Sequence, residues 1–286
     1  MHWVWGGLAA VALIAGAGPA SAAECGRACL TNVMQRYLAA LVRHNPRGLA
    51  IAPDVMVKEN GRVPRRGGEG AWKTITKVYP GLMFADPATR QVVHAGAVDG
   101  ENGIASLFVR LKVKGGRIVE AETLYNTSRP SGVFAPANLI EPDLIYDATV
   151  PVARRSNRAE MIALVDGYME AISRHDGSTT KFNYRCDRYA SGAKTTNNPR
   201  FGPNGSGPCS EGFKGLTGDR VVNRRFPVVD EEKGVVAGMF LIPHSERTPP
   251  NTLYVGELFK IVDGKIRSIE EFSVTLPYPP QDVFPR

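Results

Sequence analysis

The apolar positions of this chain run through the same order twice. Around Tyr37 the sequence reads YLAALVRHN and around Tyr168 it reads YMEAISRHD, an offset of 131 residues that needs no gap as far as Gly61 and Gly192. In the first copy Val33, Met34, Tyr37, Leu38, Leu41 and Val42 recur at helical spacing, which predicts a helix from about Asn32 to His44, stopped by Asn45-Pro46. In the second copy Met161, Leu164, Val165, Tyr168, Met169 and Ile172 do the same, behind Asn157 and Glu160 placed as a capping box. Each copy closes on two alternating runs about a glycine turn, LFVRLKVKGGRIVEAETLY and LYVGELFKIVDGKIRSIEEFSV. Such alternation predicts hairpins, and Asp263-Gly264 is a type I′ turn signal.

A helix at the front and a hairpin at the back, occurring twice, predicts two domains, 25–126 and 157–276. Between them lies a Pro-rich linker, 127–156, and after them a Pro-rich tail, 277–286. One helix on a curved antiparallel sheet predicts an α+β fold of two cones, each enclosing a hollow.

Charge changes this picture little. The net charge is +7, but the basic residues are scattered, with short clusters at Arg65-Arg66, Arg154-Arg155 and Arg224-Arg225. No basic stripe is interleaved with aromatics, so nucleic acid is not an expected partner. Residues 1–23 contain no Lys, Arg, Asp or Glu, and Ala20-Ser21-Ala22 fits a cleavage site. A signal peptide over 1–22 is therefore expected, giving a secreted or periplasmic protein with no stable membrane insertion after cleavage. The four cysteines, Cys25, Cys29, Cys186 and Cys209, then read as two disulfides with three connectivities open. Cys186–Cys209 would close a loop inside the second copy. Cys25–Cys29 would be a tight link, awkward if both residues lie on a regular helix. No metal-ligand spacing and no phosphate-binding or dinucleotide motif is present, so neither a metal nor a cofactor is expected.

The front helix with Tyr-(Leu/Met)-x-Ala, the glycine turns and the closing hairpin with Gly-(Arg/Lys)-Ile resemble the nuclear-transport-factor-2-like superfamily, which includes SnoaL-like polyketide cyclases, ketosteroid isomerases and limonene-epoxide hydrolases. Cys25-Gly26-Arg27-Ala28-Cys29-Leu30, Glu59-Asn60-Gly61, Gly68-Glu69-Gly70-Ala71-Trp72, Cys186-Asp187-Arg188 and Arg224-Arg225-Phe226-Pro227 resemble, more closely, a tandem two-copy secreted family of uncharacterised function. The resemblance implies two cone domains, each a curved antiparallel sheet wrapped on helices. It also implies that they pack through their sheets as an internal pseudo-dimer.

It further implies a general base soon after the helical part, a place that Glu59 and Asp187 come nearest to. A carboxylate against an apolar wall has a raised pKa and can take a proton next to a carbonyl. The matched Tyr37 and Tyr168 are candidate oxyanion donors, with plain core packing as the alternative. Asn60, Trp72, Arg188 and Arg225 are candidate substrate contacts, and Arg225 is the candidate clamp. Among the hairpin acids, Glu120 and Glu122 share a strand face. Glu257 and Glu270 could line the second hollow, while Glu271 faces away from Glu270. His44 and His175, at the helix ends, read as structural. The expected function is a small-molecule pocket, acting as a cofactor-free isomerase, lyase or hydratase on a small apolar carbonyl or ether compound. The alternative is a non-catalytic carrier or an envelope interaction protein.

Overall fold

A computed structural model describes residues 25–64, 70–201, 207–213, 216–280 and 283–284. The expected signal peptide lies outside the described residues. The elements run α1 (Arg27–Val42), β1 (Ile51–Glu59), α2 (Ala71–Thr74), β2 (Lys77–Val78), β3 (Leu82–Asp86), β4 (Gln91–Gly100), β5 (Gly103–Lys114) and β6 (Arg117–Asn126). After a stretch with two short 3-10 turns come α3 (Arg158–Arg174), β7 (Phe182–Ala190), β8 (Ala193–Lys194), β9 (Val222–Asp230), β10 (Val235–His244), β11 (Asn251–Val262) and β12 (Lys265–Pro277).

The expected α+β class, with two antiparallel sheets wrapped on helices as in the nuclear-transport-factor-2-like proteins, is overturned. The described chain is mostly β, and only α1 and α3 exceed one helical turn. Both six-stranded sheets are mixed: the first has the order β1-β6-β5-β4-β2 with β3 also on β4, the second β8-β7-β12-β11-β10-β9. The strand after each long helix crosses over and pairs in parallel with the last strand, β1 with β6 at a sheet edge and β7 with β12 beside the short edge strand β8. Hairpin turns are local and visible in a sequence; a parallel partner some sixty or more residues away has no local sign.

The two halves repeat one register. Ile51 pairs with Ile118 and Met56 with Glu120, and a bulge separates the two pairs. Phe182 pairs with Ile266 and Asp187 with Ser268, across the same bulge. In each terminal hairpin a second bulge leaves one extra residue, Val119 in β6 and Arg267 in β12.

The layers run α1, first sheet, second sheet, α3. Leu30, Met34, Tyr37 and Leu41 bury α1 on one face of the first sheet. Met161, Val165, Tyr168 and Ile172 bury α3 on the outer face of the second. Between the sheets lies a third core, including Phe84, Val93, Phe108, Val228, Met239, Leu258 and Phe272. Sheets covered on both faces read as continuous apolar runs rather than alternation, as in Val235 to Ile242 of β10. A Cβ at Gly256 would lie 3.0 Å from the Phe108 ring, so that strand needs a glycine for the sheets to meet. Asn157 caps α3 as its sequence suggests, accepting from Glu160 N at 3.0 Å.

Among the described residues three ionic contacts cross between the halves. Arg158 at the start of α3 reaches Asp86 at the end of β3 (2.6 Å). Reciprocally, Arg27 at the start of α1 reaches Asp230 at the end of β9. At the centre, Arg225 grips Glu122 with both Nη atoms (3.0 and 2.9 Å). Glu122 also accepts from Arg110 Nε at 2.5 Å and from the Tyr254 hydroxyl. The Pro-rich tail is anchored there too, with Phe284 buried under the Arg110 guanidinium, 4.7 Å from the ring centroid.

Glu122→Leu takes the buried carboxylate from two guanidiniums, leaving Arg110 with Glu120 and Gln91 and Arg225 with only the neutral acceptors Asn223 and Tyr254. It is expected to cost about 3–5 kcal/mol in denaturant unfolding, whereas Glu120→Gln, at the wetter rim, costs about 1 kcal/mol or less. Equal midpoints for the two variants would show that Glu122 does not hold the seam.

Candidate active site

The second half contains a cavity of about 540 Å³ between α3, the outer face of its sheet, the segment after β6 and the residues Cys209, Gly212, Phe213, Leu216 and Thr217. This volume suits a small molecule. Ile172, Phe213, Ile242, Leu253 and Ile269 supply much of its apolar wall, and Tyr168, Arg188 and Glu271 form a polar patch on it.

Each member of that patch is placed by a separate element. Tyr168 comes from the buried stripe of α3, its ring 5.0 Å from Phe259 and 5.5 Å from Phe213. Arg188 comes from β7, where its backbone N–H donates to Thr196 Oγ1 (2.8 Å) and its carbonyl accepts from Thr195 N (2.8 Å). Its Nε donates to the Tyr168 hydroxyl (3.1 Å), its Nη1 to Thr195 Oγ1 (3.1 Å), and its Nη2 to Glu271 of β12. Behind this front sits Glu257 of β11, only 1% exposed. Its Oε1 lies 3.2 Å from the Tyr168 hydroxyl and 3.5 Å from Arg188 Nε, and its Oε2 has no protein partner.

Burial is the main force on the acids. It pushes Glu257 up to about 8, opposed by Arg188 and reinforced by the neighbouring Glu271. Burial, then the Glu257 charge, drives the Tyr168 phenol far above its ordinary value, so it stays a neutral hydroxyl.

Two further features shape the cavity. The Cys186–Cys209 disulfide joins β7, two residues before Arg188, to the wall segment that carries Phe213. A cross-link spanning 23 residues of sequence contributes about 3 kcal/mol in the chain-entropy account. His244 also borders the cavity; its Nδ1 lies 2.9 Å from Glu246 Oε1, and its buried Nε2 has no protein partner. It pairs with Asn251, six residues along β11 from Glu257, which is about 20 Å away at the rise of a strand.

The other cysteines form the Cys25–Cys29 disulfide, with Cα atoms 5.2 Å apart. The awkwardness of that link disappears because Cys25 precedes α1 and only Cys29 is helical.

Several sequence-predicted residues are placed elsewhere. Asp187 does not line the cavity; Lys194 Nζ (3.0 Å) and Asn197 Nδ2 (2.8 Å) hold it, since adjacent strand residues face opposite sides. Glu59 accepts the Ala71 N–H on both oxygens (3.2 and 3.1 Å), and burial raises its pKa, but it borders neither the large cavity nor the smaller one described below. Tyr37 is packed in the first core and accepts from Trp72 Nε1 (3.2 Å), so the two plug that core together. Asn60 brackets the Tyr125 backbone with its side-chain amide (both contacts 2.9 Å) and closes the end of β1. Arg225 is committed to Glu122 and Tyr254 in the seam and is not a substrate clamp. His44 and His175 end their helices at positive φ, His44 bound to the Trp72 carbonyl and His175 to that of Gly218.

Among the acids, the sequence points to Glu257 with Glu270, whereas the structure joins Glu257 to Glu271. Counting back from the Asp263-Gly264 turn pairs Glu257 with Glu270. The extra residue Arg267 shifts the register by one and turns Glu271 to the cavity face. Glu270 instead accepts from Gly192 N (2.9 Å) and borders a second cavity of about 280 Å³.

A family profile described as "Domain of unknown function (DUF8021)" matches residues 154–273. That span includes Tyr168, Arg188, Glu257 and Glu271. No curated protein matches the chain.

The buried acids make a pH prediction. Burial first, opposed by the Gly192 N–H, also lifts Glu270 to about 8. With folded pKa values above the ordinary value, both acids hold protons that the unfolded chain releases, so stability falls as pH rises toward 8. His94, lowered by burial to about 4, acts in the opposite sense only below about 6.5. Lys260, lowered chiefly by burial to about 8, opposes the loss only above that value. Between about pH 6.5 and 8 the expected loss is on the order of 2 kcal/mol for each acid, and Glu257→Gln removes its share while Glu270 keeps its own, making the slope shallower. A thermal-melt series with the same slope in both proteins would contradict this assignment.

Proposed function

We propose that the second half takes up a small, largely apolar molecule carrying a carbonyl or comparable oxygen, and that the polar patch moves a proton on it without a cofactor. Tyr168 and Arg188 would hold the oxygen as it gains charge, since both are donors against a mainly apolar wall. Glu271 would take or return the proton, because it is the carboxylate at the cavity surface. Enolisation, elimination and hydration all need this pair of roles. The observation that carries the reading is the meeting of Tyr168, Arg188 and Glu271 on one wall of a cavity of about 540 Å³.

The ion pair between Glu271 and Arg188 favours a second reading, a carrier that binds the same molecule without turning it over. Arg188 Nη2 already occupies the Glu271 oxygen that a substrate proton would have to reach. Two disulfides and an uncharged N-terminal segment support a place outside the cytoplasm. No helix among the described residues is long and apolar enough to cross a membrane.

Native mass spectrometry of the protein from its own source should show a bound small molecule. Arg188→Ala and Tyr168→Phe should lower its occupancy at least about tenfold, the loss of one hydrogen bond to a charged or strongly polar group. Asp187→Asn and Glu59→Gln should change it less than about twofold. Equal losses in all four would place the ligand elsewhere. Loss of turnover in Glu271→Gln with binding retained separates the enzyme from the carrier.

A further inference from the structure

We infer that Glu257 is a positioning residue that sets the direction in which the Tyr168 hydroxyl donates, toward Glu257 when that acid is ionised and into the cavity when it carries a proton. This rests on the reading above, that the cavity takes a molecule with a carbonyl or similar oxygen.

The argument is an inventory of hydrogens. A tyrosine hydroxyl has one hydrogen and can accept through its lone pairs. Arg188 Nε, 3.1 Å away, can only donate, so it occupies one accepting site. Glu257 Oε1 is 3.2 Å away. An ionised Glu257 can only accept, so it takes the single hydrogen and leaves Tyr168 nothing to offer a ligand. A protonated Glu257 can donate to the hydroxyl's remaining accepting site, which frees the hydrogen for the cavity.

The surroundings favour the protonated form at neutral pH. The charged and titratable groups on the face of Glu257 are Tyr168 from α3, Arg188 from β7 and Glu271, its direct partner on β12, while Glu270 of β12 and Tyr146 feel its charge from the other face of the sheet. On β10 the residue paired with it is Gly238, which brings no charge. Arg188 already serves Glu271, and Glu257 Oε2 has no donor among the described residues. A buried carboxylate with one oxygen bare is costly to ionise. Burial accordingly lifts its pKa to about 8.

Packing does not explain an acid here. The register-equivalent residue in the first half is Val109, opposite Thr123 as Glu257 is opposite Glu271. There the matched Tyr37 takes its hydrogen bond from Trp72 instead. A valine suffices where no hydroxyl has to be aimed.

The test uses a dimethylaminonaphthyl ethyl ketone, whose emission moves to the red when its carbonyl accepts a hydrogen bond. Bound to the wild type, it should emit further to the red at about pH 6 than at about pH 9.5, where Arg188 alone still donates, with affinity falling about tenfold as the Tyr168 hydrogen bond is lost. Glu257→Leu, which offers no acceptor, should keep the redder emission throughout, and Tyr168→Phe should keep the bluer emission throughout. Difference infrared spectra of wild type against Glu257→Gln, without any probe, should show a protonated-carboxyl band that fades over the same range. Absence of that band at about pH 6, or a wild-type emission that tracks Glu257→Leu at every pH, overturns the inference and leaves the cavity reading intact. Failure of the wild type to bind the ketone at any pH overturns both.

Discussion

One buried carboxylate, Glu122, carries the constraint that the rest of the molecule follows. It is enclosed by Arg110 from its own sheet and by Arg225 and Tyr254 from the other, with Phe284 of the tail stacked against the guanidiniums. A carboxylate and two guanidiniums in the interior are tolerable only together, because any one left alone faces an uncompensated desolvation cost. The cluster therefore fixes how the two sheets face each other. The Arg158–Asp86 and Arg27–Asp230 contacts then tie each long helix to the opposite sheet, so neither half can slide without breaking both. The same closure explains why Arg225, a plausible clamp in the linear sequence, is unavailable to a ligand.

The seam also sends the two halves down different routes. Glu270 occupies in β12 the register position that Glu122 occupies in β6. Glu122 meets two guanidiniums, while Glu270 meets a backbone N–H of Gly192 and a small cavity. The same residue type at the same place becomes a structural anion in one half and a raised-pKa acid in the other, and the difference is what crosses from the opposite side. The stretch between β6 and α3 contributes to both outcomes. Phe134, Leu139 and Tyr146 bury themselves rather than spanning open solvent, and Ser128, Arg129 and Phe134 border the large cavity.

What the sequence made legible was local. The stripes of α1 and α3, the capping box at Asn157, the Asp263-Gly264 turn and the repetition itself all follow from spacings a few residues long. The parallel partners β1 and β7 were not legible, since no turn signal marks a strand that joins its sheet at a distance. For the site, Tyr168 and Arg188 stood out in the sequence, but their partner acid did not. Arg267 is one ordinary residue in an alternating run, yet its bulge reverses which of Glu270 and Glu271 faces the cavity. Asp187 attracted attention by lying beside Arg188, and that adjacency is what sends its side chain to the other face.

The copies differ as a set, and the set has a physical reason. Reading the matched registers, Val57 stands where the second half has Arg188, Val109 where it has Glu257, and Thr123 where it has Glu271. Introducing Arg188 alone would bury a guanidinium beside Tyr168 with no anion. Introducing Glu271 alone would place a largely buried carboxylate with no guanidinium. Either change alone is unfavourable by the desolvation of one charge, whereas the two together compensate one another, and Glu257, holding its proton, adds a partner for Tyr168 rather than a charge. A half can thus hold the full patch or an apolar core, and partial versions are unstable. The first half, with Tyr37 and Trp72 packed against Val57, Val109 and other apolar residues, has the apolar form. The second has the charged form, and its cavity is where those charges reach a surface that a ligand could touch.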